Sequence, residues 1–261
     1  MYNSFPKILG IQEYQNFVSE CINNNELFRS FKRNENYIKI LEHVNFELAQ
    51  EYLKIIESDN PHLLDEILKF KLNDIVGNPV VKNFPKIGSI SPSTLRYVKV
   101  LSDILKIFNK KKFKKIAEIG VGYGGQFLIF DQILSFSKYY LLDLKEVLLF
   151  SEKYLNNFFI NNSYQTKHIN NINNEEVFDL VISNYSFSEL PTELQLIYLD
   201  KIILKSKRGY LTMNSGKKNS IFYGNFLSLE KLKSMMPYIK IIPEEPQKLV
   251  HPGNYIIIWE K

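Results

Sequence analysis

From residue 115 onward the chain alternates short hydrophobic runs with helical segments, and the first crossover is a turn carrying four glycines. The runs KKIAEIG, KYYLLDL, YQTKHIN, VFDLVISNY and RGYLTMNS read as successive strands. QFLIFDQILS, KEVLLFSEKYLNNFF and TELQLIYLDKIILKS read as the helices between them, and YIKIIPEE with NYIIIWEK closes the chain as a strand pair. Strands alternating with helices at this spacing specify a mostly parallel sheet covered on both faces. At 261 residues the chain suits one large domain, or a core domain with an appendage.

The appendage is residues 1–75, which read as helical, with the sheet domain over 76–261. In NENYIKILEHVNFELAQEYLKIIES, Ile38, Leu41, Val44, Leu48, Tyr52 and Ile55 recur at spacings of three and four, an amphipathic stripe. PHLLDEILKFKLND predicts a second helix with Pro61 in its first turn. Residues 75–93, rich in Gly, Pro and Ser, read as an extended connector, and SPSTLRYVKVLSDILKIF as a helix capped by Ser91 or Ser93. The asparagine clusters at 23–25, 161–162 and 170–174 read as compositional bias in loops.

Hydrophobic residues make up 45% and charged residues 23% of the chain, which argues for a packed fold and against disorder. A formal charge of +5 suits an anionic substrate but falls short of a nucleic-acid footprint. The basic run NKKKFKK, residues 109–115, reads as a solvated turn leading into a buried strand. A single cysteine, Cys21, excludes an intramolecular disulfide and a cysteine metal cluster, and fits a reducing compartment. MYNSFPKILG has no signal-peptide pattern, and no window is apolar enough to span a membrane. The expectation is a cytoplasmic protein without a transmembrane segment.

A glycine turn after the first strand of such a sheet lies at its carboxyl edge, where ligands bind. Gly120, Gly122 and Gly125 match G-x-G-x-x-G, a dinucleotide signature that is weak by itself. Glu118, two residues ahead, would repel a pyrophosphate and favour a cation such as an α-ammonium group. Asp143, ending the second strand, stands where a carboxylate accepts hydrogen bonds from both hydroxyls of a ribose. S-adenosylmethionine has both parts and no phosphate. The turn then reads as bare so that such a ligand can touch its backbone.

With AEIGVGYGGQ, YLLDLKEVLLFSEKYL, FDLVISNYSFSELP and RGYLTMN in place, residues 75–261 resemble the class I S-adenosylmethionine-dependent methyltransferases, and more narrowly the bacterial sugar O-methyltransferases. The resemblance implies an α/β, Rossmann-like seven-stranded methyltransferase sheet with strand seven antiparallel. It implies S-adenosyl-L-methionine as donor, with S-adenosyl-L-homocysteine as product. Glu118, Gly120, Gly122 and Gly124 would surround the methionine moiety and Asp143 the ribose, with Ser183, Asn184 and Tyr185 near the transferable methyl. The implied acceptor is a sugar or nucleotide-linked sugar of a bacterial capsule or O-antigen, with no nucleic-acid partner and no metal.

Methyl transfer is an in-line displacement that needs alignment and a base for the hydroxyl proton. His251, in LVHPGNY, and Glu189, in NYSFSELP, are the candidates. Arg96, Tyr97 and Arg208 are candidates for an anionic acceptor, and Asn214 for sugar hydroxyls. His168 reads as structural, Asp179 as a structural or outer acid, and His43 and His62 as surface groups. The N-terminal helices are a candidate cap or homo-oligomer contact. Competing readings are a non-sugar small-molecule or lipid acceptor, a non-catalytic donor-binding relative, and an NAD-dependent oxidoreductase.

Overall fold

The computed structural model describes residues 11–214 and 227–261; residues 1–10, read above for a signal sequence, lie outside them. A two-stranded antiparallel hairpin, β1 (Lys82–Phe84) and β2 (Gly88–Ile90), stands apart from the main sheet. The main sheet comprises β3 (Lys112–Ile119), β4 (Ser135–Leu142), β5 (Tyr164–Lys167), β6 (Leu180–Asn184), β7 (Arg208–Met213), β8 (Lys240–Pro243) and β9 (Tyr255–Glu260). Its order is β5-β4-β3-β6-β7-β9-β8. Strands β3 to β7 run parallel, and β9, the last strand in the chain, is antiparallel to both β7 and β8. This is the Rossmann-like seven-stranded sheet with an antiparallel last strand that the sequence leads one to expect.

The central strands are apolar on both faces because both are covered. Side chains alternate along a strand, so Ile116, Tyr139, Leu141, Leu180 and Ile182 join one core, and Ala117, Ile119, Tyr140, Leu142 and Val181 the other. Helices Pro92–Phe108, Gly125–Ile133 and Lys145–Leu155 cover the first face. Thr192–Tyr198, its π-helical continuation Leu199–Ile203, and Leu229–Met235 cover the second. Glu118 has the parity of Ile116 and is the one acid buried in the central strand's first face.

Residues 14–75 contribute to the first core together with the sheet domain, through side chains such as Val18, Phe31 and Ile56. Phe31 packs edge-on against Phe150 at 4.9 Å and against Tyr123 of the glycine turn at 5.5 Å. Fully burying each such side chain stabilises by roughly 1.5–3 kcal/mol. Lys153 Nζ adds hydrogen bonds to the carbonyls of Cys21 and Ile22, at 3.0 and 2.9 Å.

The amphipathic helical stripe expected over 34–58 is broken. Helices Glu35–Ile40 and Phe46–Asp59 flank a non-helical stretch, and the buried positions are Tyr37, Val44, Ala49, Tyr52 and Ile56. Asn45 is the cause: its side chain accepts from Leu48 N at 2.8 Å and starts a new helix. Asn24 and Asn34 cap their helices the same way. Asn161 and Asn162 together hold the Asp131 carboxylate. These asparagines are structural devices rather than bias alone. The second helix expected after Pro61 is three short pieces, His62–Asp65, Ile67–Phe70 and the 3-10 turn Lys71–Asp74. The connector expected over 75–93 contains the hairpin β1–β2, and Ser91 caps the next helix through Ser93 N. Among the described residues no helix is long and apolar enough to cross a membrane.

Candidate active site

The carboxyl ends of β3, β4, β6 and β7 converge at one edge. After β3 the chain turns through Gly120 at φ +78°, Gly122 at +54° and Gly124 at +88°, a left-handed path that side chains with a Cβ resist. Gly120 N donates to Leu142 O and Gly124 N to Val121 O, both at 2.9 Å. Gly124 then opens the helix Gly125–Ile133 without a side-chain cap, leaving its first amides at the turn.

The structure gives each glycine a packing reason. A Cβ at Gly120 would stand 2.1 Å from Ser186, one at Gly122 2.8 Å from Leu41, and one at Gly125 2.6 Å from the Tyr123 ring. The chain's own side chains thus fill the space a Cβ would take. What remains for a ligand is the backbone.

Asp143 ties this turn to β4. Its Oδ2 accepts from Val121 N at 2.8 Å and Gly122 N at 3.3 Å, and its Oδ1 from Leu144 N at 2.7 Å. Burial pushes its carboxyl up to about 6, against the pull of those three amides. Glu118 is buried, and its Oε2 accepts from the Tyr139 hydroxyl at 2.7 Å. Burial pushes it up to about 8, opposed by the Tyr139 hydrogen bond and aided by the charge of Asp143.

The residues after β6 have separate tasks. Ser183 is committed to the backbone: its Oγ donates to Ile119 O at 2.9 Å and accepts from Phe187 N at 3.0 Å. A ligand contact through that hydroxyl therefore has no support. Asn184 Nδ2 donates to Gln126 Oε1 at 3.3 Å, while its Oδ1 is buried with no partner. A buried acceptor in that state is stabilised by any donor brought to it. Tyr185 adopts φ +66°, an outlier for a bulky residue, and its hydroxyl donates to Glu244. Glu244 is buried and also accepts from Asn254.

Of the two base candidates, Glu189 is enclosed and His251 is exposed on the β8–β9 loop. Glu189 Oε1 accepts from Asn214 Nδ2 at 2.8 Å. Burial raises its carboxyl above the ordinary range, with the Asn214 hydrogen bond and the Arg96 charge opposing. It does not cap the following helix, which opens at Pro191 without a side-chain bond.

Two acceptor candidates are corrected. Arg208 opens β7 at the opposite edge of the sheet from Asn214, and its guanidinium pairs with Glu260 at 2.6 Å. Tyr97 is buried, its ring against Tyr123 and over Gly125, so it packs the turn rather than facing an acceptor. Arg96 is buried beside Tyr185. Asp179 sits at the far edge, accepting from Lys114 N, Lys115 N and Lys207 Nζ. His168 caps the turn Ile169–Asn171 through Asn170 N.

Sequence reasoning missed Leu41, Gln126 and Glu244. Glu244 was accessible in principle, because it follows β8, which ends at the same edge as β7. Leu41 reaches the turn only through tertiary packing and leaves no local signal.

No family model matches the chain, and no curated protein matches it. Among solved structures it is similar to the methyltransferase domain of bacterial CtHen1, at 12% identity and TM-score 0.49, covering 64% of this chain and 97% of that one. It is similar to an S-adenosylmethionine-dependent methyltransferase from Clostridium acetobutylicum, at 10% identity and TM-score 0.47, covering 62% and 88%. The N-methyltransferase NodS from Bradyrhizobium japonicum stands at 11% identity and TM-score 0.46, covering 62% and 92%.

Proposed function

We propose that the chain is an S-adenosylmethionine-dependent O-methyltransferase acting on a sugar hydroxyl, free, nucleotide-linked or polymeric. The observation that carries this reading is the pair of acids, Glu118 and Asp143, flanking a glycine turn. A pyrophosphate brought to that turn would meet a buried carboxyl. A ligand with a ribose at one end and an ammonium at the other meets complementary groups. The unpartnered Asn184 Oδ1 fits the same ligand, since it lacks a donor and an ammonium supplies one. Bound there, S-adenosylmethionine supplies a methyl group activated on a sulfonium.

The chain's own residues do the rest. Asp143 holds the ribose while its second role keeps the turn in place. Asn214 orients the Glu189 carboxyl, and Glu189 would take the proton of the acceptor hydroxyl as that oxygen is methylated. A carboxyl raised by burial suits this role, because a base works best with a pKa near the operating pH. The carbohydrate preference rests on the Asn184, Asn214 and Glu189 hydrogen-bonding edge together with the resemblance described above. Labelled S-adenosylmethionine offered with nucleotide-linked sugars, lipid-linked sugars and small phenols tests it. Label in a sugar O-methyl ether is expected; label only in the phenols would replace the acceptor class.

Donor binding carries a proton signature. At pH 7 the Glu118 carboxyl of the free protein, pushed up to about 8, holds its proton. An ammonium beside it lowers that pKa and releases the proton, so affinity rises with pH up to about 8. Below about 6, protonation of Asp143 removes affinity further. Calorimetry at pH 7 in two buffers of different ionisation enthalpy should find about one proton released per S-adenosylhomocysteine bound. No release would detach Glu118 from the ammonium.

A further inference from the structure

Three cationic side chains are buried among the described residues: Lys32, Arg96 and Lys99. Lys32 donates to Asn73 O and Lys99 pairs with Asp103 at 2.7 Å. Arg96, only 7% exposed, makes no hydrogen bond and no ion pair with any described residue. Its guanidinium lies over the rings of Tyr97 at 5.4 Å and Tyr185 at 5.7 Å. Ring faces attract a cation but satisfy none of its N–H donors. Buried charges are normally paired, and a planar fork of five donors matches the oxygens of an anion.

The surroundings say where that anion sits. The Tyr97 ring covers Gly125, and the Tyr97 carbonyl accepts from Gln126 Nε2 at 3.1 Å. Gln126 Oε1 in turn accepts from Asn184 Nδ2. Arg96 stacks on that same Tyr97 ring, and its charge reaches Tyr123 within the turn, so it stands beside the glycine turn and the uncapped start of the helix Gly125–Ile133, whose first amides also favour negative charge. The carboxyls of Glu42 and Glu189 feel the Arg96 charge without pairing with it, and both are driven toward their neutral forms by burial. Glu42 Oε1 has no partner.

We propose that Arg96 receives the carboxylate of the donor's amino-acid end, so that the ligand is held at its ribose by Asp143, at its ammonium by Glu118 and Asn184, and at its carboxylate by Arg96. The proposal rests on the methyl-donor reading and moves Arg96 from the acceptor to the donor. A planar guanidinium matches a carboxylate bidentately. A dinucleotide phosphate is the other source of an anion here, and the test separates the two.

Calorimetric titrations of the wild type, Arg96→Met and Arg96→Lys compare two probes. S-adenosylhomocysteine has the carboxylate; 5′-methylthioadenosine has the same nucleoside and thioether but no amino-acid end. Arg96→Met should lose ~30-fold or more in affinity for S-adenosylhomocysteine, as expected for a charge-assisted bidentate contact. It should hold its affinity for 5′-methylthioadenosine within about twofold, which also shows that the variant is folded. Arg96→Lys should recover part of the loss. Unchanged affinity for S-adenosylhomocysteine, or equal loss for both probes, overturns the proposal. Wild-type protein that binds neither nucleoside but binds NADH through Arg96 overturns the methyl-donor reading as well.

Discussion

Asp143→Ala is expected to weaken S-adenosylhomocysteine binding by ~100-fold or more, because hydrogen bonds to a charged group contribute roughly 1.5–3 kcal/mol each and a ribose offers two. The substitution acts twice. It removes the proposed ribose partner, and it frees Val121 N and Gly122 N, which Asp143 Oδ2 now accepts. Asp143→Asn separates these effects, since its amide oxygen can still accept from the turn while the charge is gone. If the ribose contact dominates, the asparagine variant binds nearly as poorly as the alanine variant and unfolds close to wild type. Titration calorimetry with urea unfolding of both variants reads this directly. Wild-type affinity in Asp143→Ala would take the residue out of the site.

Gly209→Ala should be the most damaging single methyl in the sheet. Gly209 faces Trp259 across the β7–β9 pair, and a Cβ there would lie 2.0 Å from the indole ring. Trp259 is 2% exposed, and its Nε1 donates to Ser206 Oγ at 3.1 Å, so the ring has nowhere to go without losing that bond. Overpacking usually costs about 1–3 kcal/mol, and a displaced buried indole adds to it. A loss of about 3 kcal/mol or more in urea unfolding is expected. A change under about 0.5 kcal/mol, typical of a surface site, would mean that the ring tolerates the methyl.

The sheet was legible because parallel strands buried on both faces make short, nearly uninterrupted apolar runs, such as LVIS before Asn184, that helices of different period interrupt. The glycine turn and Asp143 were legible for a related reason: positive φ and a strand-end carboxylate both demand particular residue types at fixed places. The break at Asn45 was not, because spacings of three and four continue across it while the capping signal is a single side chain. Asn24, Asn34 and Asn45 all stand ahead of an acidic first turn, and that conjunction is the signal that would have found them. Arg208 and Arg96 look alike in sequence, yet one sits at the far edge paired with Glu260 and the other is buried with no ion pair among the described residues. Only the direction of β7 and the packing of the helix Pro92–Phe108 tell them apart.

The reading of the cleft as a site for a sulfonium nucleoside is tested most directly by thermal unfolding of the intact chain with S-adenosylhomocysteine and, separately, with NADH. At a hundred times its dissociation constant the first should stabilise the fold by ~2.7 kcal/mol, and the second should leave the transition in place. Stabilisation by NADH and none by S-adenosylhomocysteine would contradict the account.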